Sequence, residues 1–276
     1  MAEALPPCPL CGSAEVVARD GRAADCPRCG LLINRQTTAL DYSQGGGQAI
    51  PDPGKMKWRI ENARLRFRII RQFLAGHELF VDIGCGSGEM LEVSRCCFPH
   101  HIGFDTNQPL IEYVRGGRGL NAVAAPFDAR LLDPSWRGLP KVVALSHVLE
   151  HLAAPMELLS QVDAFLRPGD LLYLEVPLHT GRSLARLGYR WSLWNAEHVA
   201  LYSMKSLVFI GERLRFAVLH RGYRIFARGS KSGKTLVRLF LANPAEFVRQ
   251  ALTKPSCHTM ADVMIRDYGC VVLRKQ

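Results

Sequence analysis

In the segment Val81-Asp82-Ile83-Gly84-Cys85-Gly86-Ser87-Gly88-Glu89-Met90-Leu91, an apolar run passes into three glycines at alternate positions. Glycine lets a backbone approach a bound molecule closely, and a helix that starts after such a turn presents unpaired amide groups. The turn therefore predicts a ligand site between a strand and a helix. A dinucleotide-binding fingerprint places a small residue at position 89, so the bulky, charged Glu89 argues against NAD.

Short apolar runs around this turn alternate with helix-sized segments. The predicted strands cover residues 79–83, 101–105, 141–145 and 171–176, and the predicted helices cover 88–97, 108–116 and 155–166. Such alternation indicates right-handed βαβ units, which build a doubly wound, mostly parallel α/β sheet. Ligands bind outside the carboxyl ends of the strands in such sheets, so functional residues should directly follow the strands.

Asp105 stands at the end of the second predicted strand, 21 residues after Gly84. A carboxylate at this place can accept hydrogen bonds from both hydroxyls of a ribose. The alternative is that Asp105 caps a helix beginning near Pro109, but the intervening residues make that a poor fit. The sequence therefore predicts a nucleoside-containing cofactor.

The composition allows one large domain with a small appendage. The chain has 276 residues, of which 48% are apolar and 22% charged, and 35 basic against 25 acidic residues give a net charge of +10. This excess permits an acidic partner such as nucleic acid, a phosphorylated metabolite or an anionic membrane surface, and does not choose among them. It is concentrated in residues 55–71, a predicted basic amphipathic helix ending by Leu74, and in residues 205–238.

Membrane and export signals are not evident in the sequence. No apolar run approaches the ~20 residues of a membrane span, and the first residues lack the basic start and apolar stretch of a signal peptide. We therefore expect a cytoplasmic protein without a membrane span.

Four of the nine cysteines form two Cys-x-x-Cys knuckles, each followed by glycine, at Cys8, Cys11, Cys26 and Cys29. Two such knuckles about fifteen residues apart can bring four thiolates to one tetrahedral Zn²⁺. The alternative is a pair of redox-active or merely buried cysteines, but a redox motif normally opens a helix and has no twin. We predict three units. Residues 1–37 form a zinc ribbon, residues 38–76 contain a linker (38–54) followed by the basic helix, and residues 77–276 form a cofactor-binding domain.

Several sequence motifs over roughly residues 79–228 resemble those of class I S-adenosylmethionine-dependent methyltransferases and occur in the same order as in that family. The resemblance implies a Rossmann-like α/β fold and S-adenosylmethionine as the cofactor. It implies that the residues matching the cofactor-binding motifs are Asp82, Gly84, Gly86, Gly88, Asp105, Phe127, Asp128 and Ser146. Phe127 and Asp128 correspond to the pair that flanks the adenine. A later block, Glu197-His198-Val-Ala-Leu-Tyr202-Ser203, is similar to a branch that methylates quinone precursors and sugars, and the ribbon resembles that of methyltransferases in carbohydrate and natural-product pathways.

The acceptor should lie after the third predicted strand, in Ser146-His147-Val-Leu-Glu150-His151. On a helix beginning near His147, steps of three and four residues would place His147, Glu150 and His151 on one face. His151 is the preferred general base, with His147, Glu150 and His198 positioning it or binding a divalent ion. The resemblance supports an ion, since an RNA-end methyltransferase branch holds Mg²⁺ with Glu, Glu and His at these positions and a further His. The alternative is that Glu150 only supports the fold and His147 packs against the cofactor.

The aromatic stretch Tyr189-Arg190-Trp191-Ser-Leu-Trp194 has two interpretations. It could be a lid that packs on a sugar or planar acceptor, or an amphipathic helix that completes the core.

Three functions follow from these patterns. The leading hypothesis is methyl transfer to a hydroxyl of a small-molecule acceptor, such as a sugar or a nucleotide-linked sugar, whose phosphate the basic segments would attract. The second is an RNA methyltransferase that holds nucleic acid with its ribbon and basic helix. The third is a non-catalytic protein that keeps the cofactor fold and docks a partner through its ribbon.

Overall fold

A computed structural model describes residues 5–37, 49–223, 241, 244–245 and 266–276. Its strands are β1 (Val17–Ala18), β2 (Ala23–Asp25), β3 (Leu32–Asn34), β4 (Leu79–Ile83), β5 (His100–Asp105), β6 (Ala122–Ala124), β7 (Lys141–Ser146), β8 (Leu171–Pro177), β9 (Ala200–Leu201), β10 (Phe216–Tyr223) and β11 (Tyr268–Lys275). Its α-helices are α1 (Pro53–Arg71), α2 (Glu89–Ser94), α3 (Gln108–Glu112), α4 (Pro155–Phe165), α5 (Arg182–Leu187) and α6 (Met204–Arg213). Part of the second basic segment, residues 224–238, lies outside the described residues.

The large sheet has the strand order β10-β11-β8-β7-β4-β5-β6 among the described residues. The pairs from β8 to β6 are parallel, whereas β11 pairs antiparallel with β8 and with β10. Its central strands are buried on both faces, as their continuous apolar runs predict. The doubly wound, mostly parallel α/β sheet is confirmed, and β4, β5, β7 and β8 begin and end within one residue of their predicted bounds.

Helix α1 begins earlier than the sequence predicted, because part of the predicted linker belongs to it. Asp52 is the N-cap and accepts a hydrogen bond from the Lys55 amide (2.9 Å), and Pro53 follows at the first helical position. Proline is favoured there because its fixed φ suits the helix and its missing N–H would be unpaired in any case. The helix ends at Arg71, short of the predicted Leu74.

The helix predicted to begin near His147 does not form. His147 has a φ of +60°, in the left-handed region, and only a single 3-10 turn, Leu149–His151, follows. The His147 amide donates to the carbonyl of Glu175 (2.9 Å), which continues the pairing of β7 with β8 instead of starting a helix. The side chains after β7 are therefore placed by a sharp turn at the sheet edge.

The N-terminal cysteine segment forms a small antiparallel sheet with a strand from the large domain. Its order is β1-β2-β3-β9, with Leu32 opposite Leu201 and Ile33 opposite Ala200. The cysteine segment therefore shares hydrogen bonds with the chain that follows β8.

The aromatic stretch lies between the cysteine segment and the large domain. Trp191 is buried in one apolar cluster with Ala23 and Leu32, and Tyr189 and Trp194 pack against that cluster. None of the three aromatic residues lines the large cavity described below. Of the two interpretations, packing in the core fits this position and a lid does not, although 3-10 and turn structure replace the expected amphipathic helix.

Candidate active site

A cavity of about 980 Å³ opens at the carboxyl ends of β4, β5 and β7. This is where the strand pattern predicted ligand binding, because the glycine turn and the turn after β7 meet there. Nine of the residues predicted from the sequence line it: Asp82, Gly84, Gly86, Asp105, Phe127, Ser146, His147, His151 and His198. Helix α1 contributes four further residues to its wall: Trp58, Arg59, Asn62 and Arg66.

Gly84 permits the close packing at the floor of the cavity. Its φ is +72°, and a Cβ built on it would lie 2.4 Å from Cγ2 of Val148. A side chain at this position would be strained by the backbone angle and would also collide with the turn after β7. The glycine turn and the turn after β7 therefore pack directly against each other.

Asp105 is held at the end of β5 by two backbone amides. Its Oδ2 accepts from the Gly86 amide (2.8 Å) and its Oδ1 from the Asn107 amide (2.9 Å). Asn107, and not Asp105, caps α3, since its side chain accepts from the Leu110 amide. The carboxylate is therefore fixed beside the glycine turn, in the geometry that suits a ribose diol.

Asp82 is buried at the end of β4 and lines the cavity. Burial, with a smaller contribution from the negative Glu89, raises the pKa of the Asp82 carboxyl to about 8. Asp82 consequently keeps its proton at neutral pH in the protein alone. A cationic ligand placed beside it would favour the ionised form.

The other residues predicted to bind cofactor occupy mixed positions. Phe127 packs edge-on against Phe104 at the cavity wall, with ring centroids 5.3 Å apart, and the buried Ser146 hydroxyl has no hydrogen-bond partner among the described residues. Asp128 is not brought to the cavity, because its carboxylate caps the turn Ala129–Leu131 and pairs with Arg130. Gly88 does not line the cavity either, and a Cβ on it would lie 3.1–3.3 Å from side-chain carbons of Leu120 and Val114.

Two histidines meet at the opposite end of the cavity. The rings of His151 and His198 lie 4.8 Å apart at their centroids. Nδ1 of His151 lies 3.1 Å from the Glu197 carbonyl and Nδ1 of His198 lies 2.7 Å from the Leu193 carbonyl. A carbonyl oxygen can only accept, so each Nδ1 must carry the proton and the neutral ring keeps its lone pair on Nε2. Both rings are therefore set in the tautomer that suits a base or a metal ligand.

Glu150 lies beneath the two histidines and is fully buried. One ligand atom each of Glu150, His151 and His198 lies within 4.8 Å of the others. Its Oε1 accepts from His147, whereas its Oε2 has no hydrogen-bond partner within the described part of the chain. Burial opposes its ionisation, but His147 and the other two histidines hold the pKa of the Glu150 carboxyl below its ordinary value. This buried carboxylate with one unsatisfied oxygen fits a cation or a protonated imidazole above it.

His147 is held between two buried carboxylates. Its Nδ1 donates to Glu150 (3.0 Å) and its Nε2 donates to Glu175 (3.1 Å), which also accepts from Arg66 and from the Tyr173 hydroxyl. Burial acts against the charge, but the two carboxylates raise the pKa of His147 above its ordinary value. The positive groups of His147 and Arg66 therefore balance the carboxylates of Glu150 and Glu175 below the cavity. Both ring nitrogens of His147 are used in this network.

Glu175 and Arg66 belong to the site but were not among the residues predicted for it. Each was visible as a charged residue in an apolar context, Glu175 inside β8 and Arg66 beside the buried face of α1. Such residues are rarely buried without a partner, so their pairing was the signal that could have been used. Arg59 was missed in the same way, and it contacts Ser87 (3.0 Å) and Glu89 (3.2 Å) beside the glycine turn.

The four N-terminal cysteines converge. Sγ of Cys8 lies 3.6 Å from Sγ of Cys29, Sγ of Cys11 lies 3.4 Å from Sγ of Cys26, and all four sulfurs lie within 4.8 Å of one another. A tetrahedron with Zn–S bonds of about 2.3 Å has edges of about 3.8 Å. The sulfur positions and the all-thiol donor set therefore fit a structural Zn²⁺.

The chain matches a protein family and several solved structures. The family model described as "Methyltransferase domain" matches residues 58–221, more than half of the chain. An S-adenosylmethionine-dependent methyltransferase from Archaeoglobus fulgidus is 22% identical, with a TM-score of 0.53, and the alignment covers 80% of this chain and 98% of that one. No curated protein sequence matches the chain significantly.

Two further solved structures share the fold. A chain in the complex between the Haloferax volcanii Trm112 methyltransferase activator and the putative methyltransferase is 15% identical, with a TM-score of 0.56 over 82% of this chain and 99% of that one. The plantazolicin methyltransferase BamL, solved with a triazolic desmethylPZN analog and SAH, is 12% identical, with a TM-score of 0.51 over 81% and 87%.

The helices within the described residues include none that is long and apolar enough to cross a membrane. The family match covers α1 from Trp58 onward, the glycine turn, Asp105 and the whole histidine cluster, and so includes every residue that lines the cavity. The chain therefore belongs to the methyltransferase-domain family, and it shares its fold with solved S-adenosylmethionine-dependent methyltransferases.

Proposed function

We propose that this enzyme methylates a hydroxyl of a small metabolite, a sugar or a nucleotide-linked sugar. The observation that carries the proposal is the cluster of His151 and His198 over the buried Glu150. A hydroxyl keeps its proton at neutral pH and needs a base as it attacks, whereas a neutral amine brings its own lone pair. A site built to present imidazole lone pairs therefore favours oxygen as the acceptor atom.

In the proposed reaction, S-adenosylmethionine supplies a methyl group on a positively charged sulfur. The walls of the cavity hold the acceptor oxygen in line with that methyl group, which accounts for up to ~7–11 kcal/mol of the barrier in favourable cases. The hydroxyl proton passes to Nε2 of His151 while the new C–O bond forms and the C–S bond breaks. Glu150 stabilises the positive charge that the imidazole then carries.

We propose the cofactor-binding roles on the same basis. The ribose diol would lie on Asp105, the amino-acid part on Gly84 and Gly86, and the adenine against Phe127. The unsatisfied Ser146 hydroxyl fits a polar group of the bound cofactor. Asp82 would ionise when the positively charged ligand binds.

A divalent ion at the acceptor end is the alternative to simple base catalysis. Glu150, His151 and His198 would supply one oxygen and two nitrogens to such an ion, which would polarise the acceptor hydroxyl. Imidazole ligands suit ions such as Zn²⁺, Fe²⁺ and Ni²⁺ better than Mg²⁺, which prefers an all-oxygen set. We therefore expect any ion here to be a transition metal. His147 would stay outside its ligand set.

The basic residues of α1 support a phosphate-bearing acceptor better than a long nucleic acid. Arg66 is paired with Glu175, Arg59 with Glu89 and Arg64 with Glu61, so much of the positive charge is already balanced. Arg59 and the half-exposed Trp58 nevertheless line the cavity, where a phosphate and a sugar or base could contact them.

We further propose that residues 1–37 are a zinc ribbon and that residues 77–276 are the S-adenosylmethionine-binding domain, joined by residues 38–76. The converging sulfurs support the first unit. The large sheet and its cavity support the second.

The proposed function is tested by offering a panel of acceptors with radiolabelled S-adenosylmethionine. We expect label in nucleotide-linked or free sugars, with mass spectrometry placing the methyl group on an oxygen. Short RNA of mixed sequence serves as the competing acceptor. Methylation of RNA alone, or of nitrogen or carbon in every accepted molecule, would contradict the proposal.

The ribbon proposal is tested by elemental analysis of the purified full-length protein. We expect one Zn²⁺ per chain, and loss of that zinc when Cys26 and Cys29 are both changed to serine, because two ligands cannot hold the ion tightly. Changing Cys96 and Cys97 to serine is the matched control, since these adjacent thiols lie outside the cluster. Zinc that is absent from the wild type, or retained by the Cys26/Cys29 variant, would refute the ribbon.

A further inference from the structure

The cysteine segment reaches the acceptor end of the active site through its last strand. Strand β3 pairs with β9, and the loop just before β9 carries Glu197 and His198. This loop, residues 193–199, therefore lies between the cysteine segment and the catalytic cavity. Asn34, the last residue of β3, is where the two meet.

Asn34 is buried, with 4% of its surface exposed, and its hydrogen bonds converge on that loop. Its side-chain Nδ2 donates to the Asn195 carbonyl (2.9 Å) and to the His198 carbonyl (3.0 Å). Its backbone amide donates to the Val199 carbonyl (2.9 Å). A side-chain amide has two N–H donors, and both are used here to fix carbonyls on either side of Glu197.

The same loop is joined to the residue beneath the histidines. The Val199 amide donates to the Glu150 carbonyl (2.8 Å), while the Val199 carbonyl accepts from Asn34. The Glu197 carbonyl, in turn, accepts from Nδ1 of His151. The spacing between His198, His151 and Glu150 thus depends on where β3 holds the loop.

The cysteines fix the other end of β3. Cys29 stands five residues before Asn34, and the Cys26 amide donates to the Leu31 carbonyl (2.9 Å). Cys8, Cys26 and Cys29 are buried in the same apolar core as Tyr202 and Leu207 of the large domain. A metal held by these thiols would therefore make β3, and Asn34 at its end, a rigid support.

We propose that Asn34 is a positioning residue of the acceptor site, through which the N-terminal cysteine segment holds His198 against His151 and Glu150. The function of that segment is then to complete the active site and not to capture nucleic acid. The proposal concerns the placement of one loop, and it holds whichever acceptor is methylated.

The test compares Asn34→Ala and Asn34→Ser with Lys205→Ala in the full-length protein saturated with SAH. Lys205 is the matched control, because its ammonium donates to the Pro27 carbonyl (2.7 Å) and so joins the two units away from the loop. Each histidine is followed by mass spectrometry during modification with diethylpyrocarbonate, and amide hydrogen exchange is measured over residues 193–201. Elemental analysis checks that each variant keeps the metal content of the wild type.

In Asn34→Ala, we expect His198 to be modified about tenfold faster and the loop amides to exchange faster, since two hydrogen bonds that close the loop are lost. In Asn34→Ser, where one donor remains, the increase should be smaller. Lys205→Ala should leave His198 unchanged. With an accepted substrate, kcat of Asn34→Ala should fall while the dissociation constant of SAH is unchanged.

An unchanged modification rate of His198 in Asn34→Ala would overturn the proposal. So would a parallel acceleration at His147, which lies in the buried network and would respond to general loosening of the fold. If Asn34→Ala does not fold, the ratio of His198 to His147 modification in Asn34→Ser decides by the same criterion. If the wild type transfers no methyl group to any acceptor, that result counts against the proposed function. The modification rate of His198 still decides the proposal on Asn34.

Discussion

His151→Ala is expected to lower turnover by about 10²–10⁴-fold, the range that a general base contributes. The expectation rests on the hydrogen bond from Nδ1 of His151 to the Glu197 carbonyl, which directs the lone pair of Nε2 away from that carbonyl. Affinity for SAH should stay the same, because the ribose is proposed to lie on Asp105, which is held by the Gly86 and Asn107 amides and not by His151. Initial rates with a saturating acceptor, together with calorimetric titration of SAH, measure both effects.

His198→Ala separates the two versions of the mechanism. If a bound ion polarises the acceptor, His198→Ala should be nearly as damaging as His151→Ala, and added Mn²⁺ or Zn²⁺ should stimulate the wild type. If His151 acts alone as the base, His198→Ala should be milder and added ions should have no effect. His77→Ala is the control for loss of a histidine, because His77 lies just before β4, at the amino ends of the strands, and does not line the cavity. Full activity in His151→Ala and His198→Ala would show that positioning alone suffices.

Removal of the Asp105 carboxylate should weaken binding of the cofactor product SAH. Asp105→Ala should weaken SAH binding by ~2–4 kcal/mol, or roughly 30- to 1000-fold in Kd, because two charge-assisted hydrogen bonds to the ribose are lost. Calorimetry on the folded variant measures this change. The same titration should give a much smaller effect for Asp128→Ala, since that carboxylate pairs with Arg130 outside the cavity.

Asp133→Ala is the matched control for the loss of an exposed carboxylate, since Asp133 caps the turn Pro134–Trp136 away from the cavity. Its SAH affinity should equal that of the wild type. Unchanged affinity in Asp105→Ala, or tighter binding of NAD than of SAH by the wild type, would contradict the assignment of the cofactor site.

The central strands and the glycine turn could be predicted because their signals are local. Buried parallel strands need continuous apolar runs, and β4, β5, β7 and β8 have them. The position of Asp105 follows from the order of strands and turns, and the knuckle spacing is contained within one short segment. Local sequence therefore predicted the framework and the position of Asp105 and the glycine turn at the cavity.

The acceptor end could be predicted in part only. The helical spacing placed His147 with Glu150 and His151, but the chain turns at a left-handed His147 and each side chain takes its place from long-range contacts. Glu175 from β8 accepts hydrogen bonds from both His147 and Arg66, which lie 28 and 109 residues from it in the sequence. Periodicity within one segment contains no information on such partners.

The position at which the cysteine segment packs on the large domain also could not be predicted from local sequence patterns. Two-residue strand β9 has no strand signal of its own and exists because β3 lies beside it. The cysteine spacing predicted that the four thiols come together, and gave no indication of where the segment packs. Its side-chain hydrogen bonds to the loop at His198 come from the buried Asn34, which in the sequence is an ordinary polar residue at the end of a short strand.

The most direct test of the account is a crystal structure of the full-length protein with SAH. We predict the ribose hydroxyls on Asp105, the amino-acid part beside Gly84 and Gly86, and the sulfur directed toward the cluster of Glu150, His151 and His198. That arrangement would place the transferred methyl group between the cofactor and the base. An SAH molecule whose sulfur is directed away from the histidines, or whose ribose does not contact Asp105, would contradict the account.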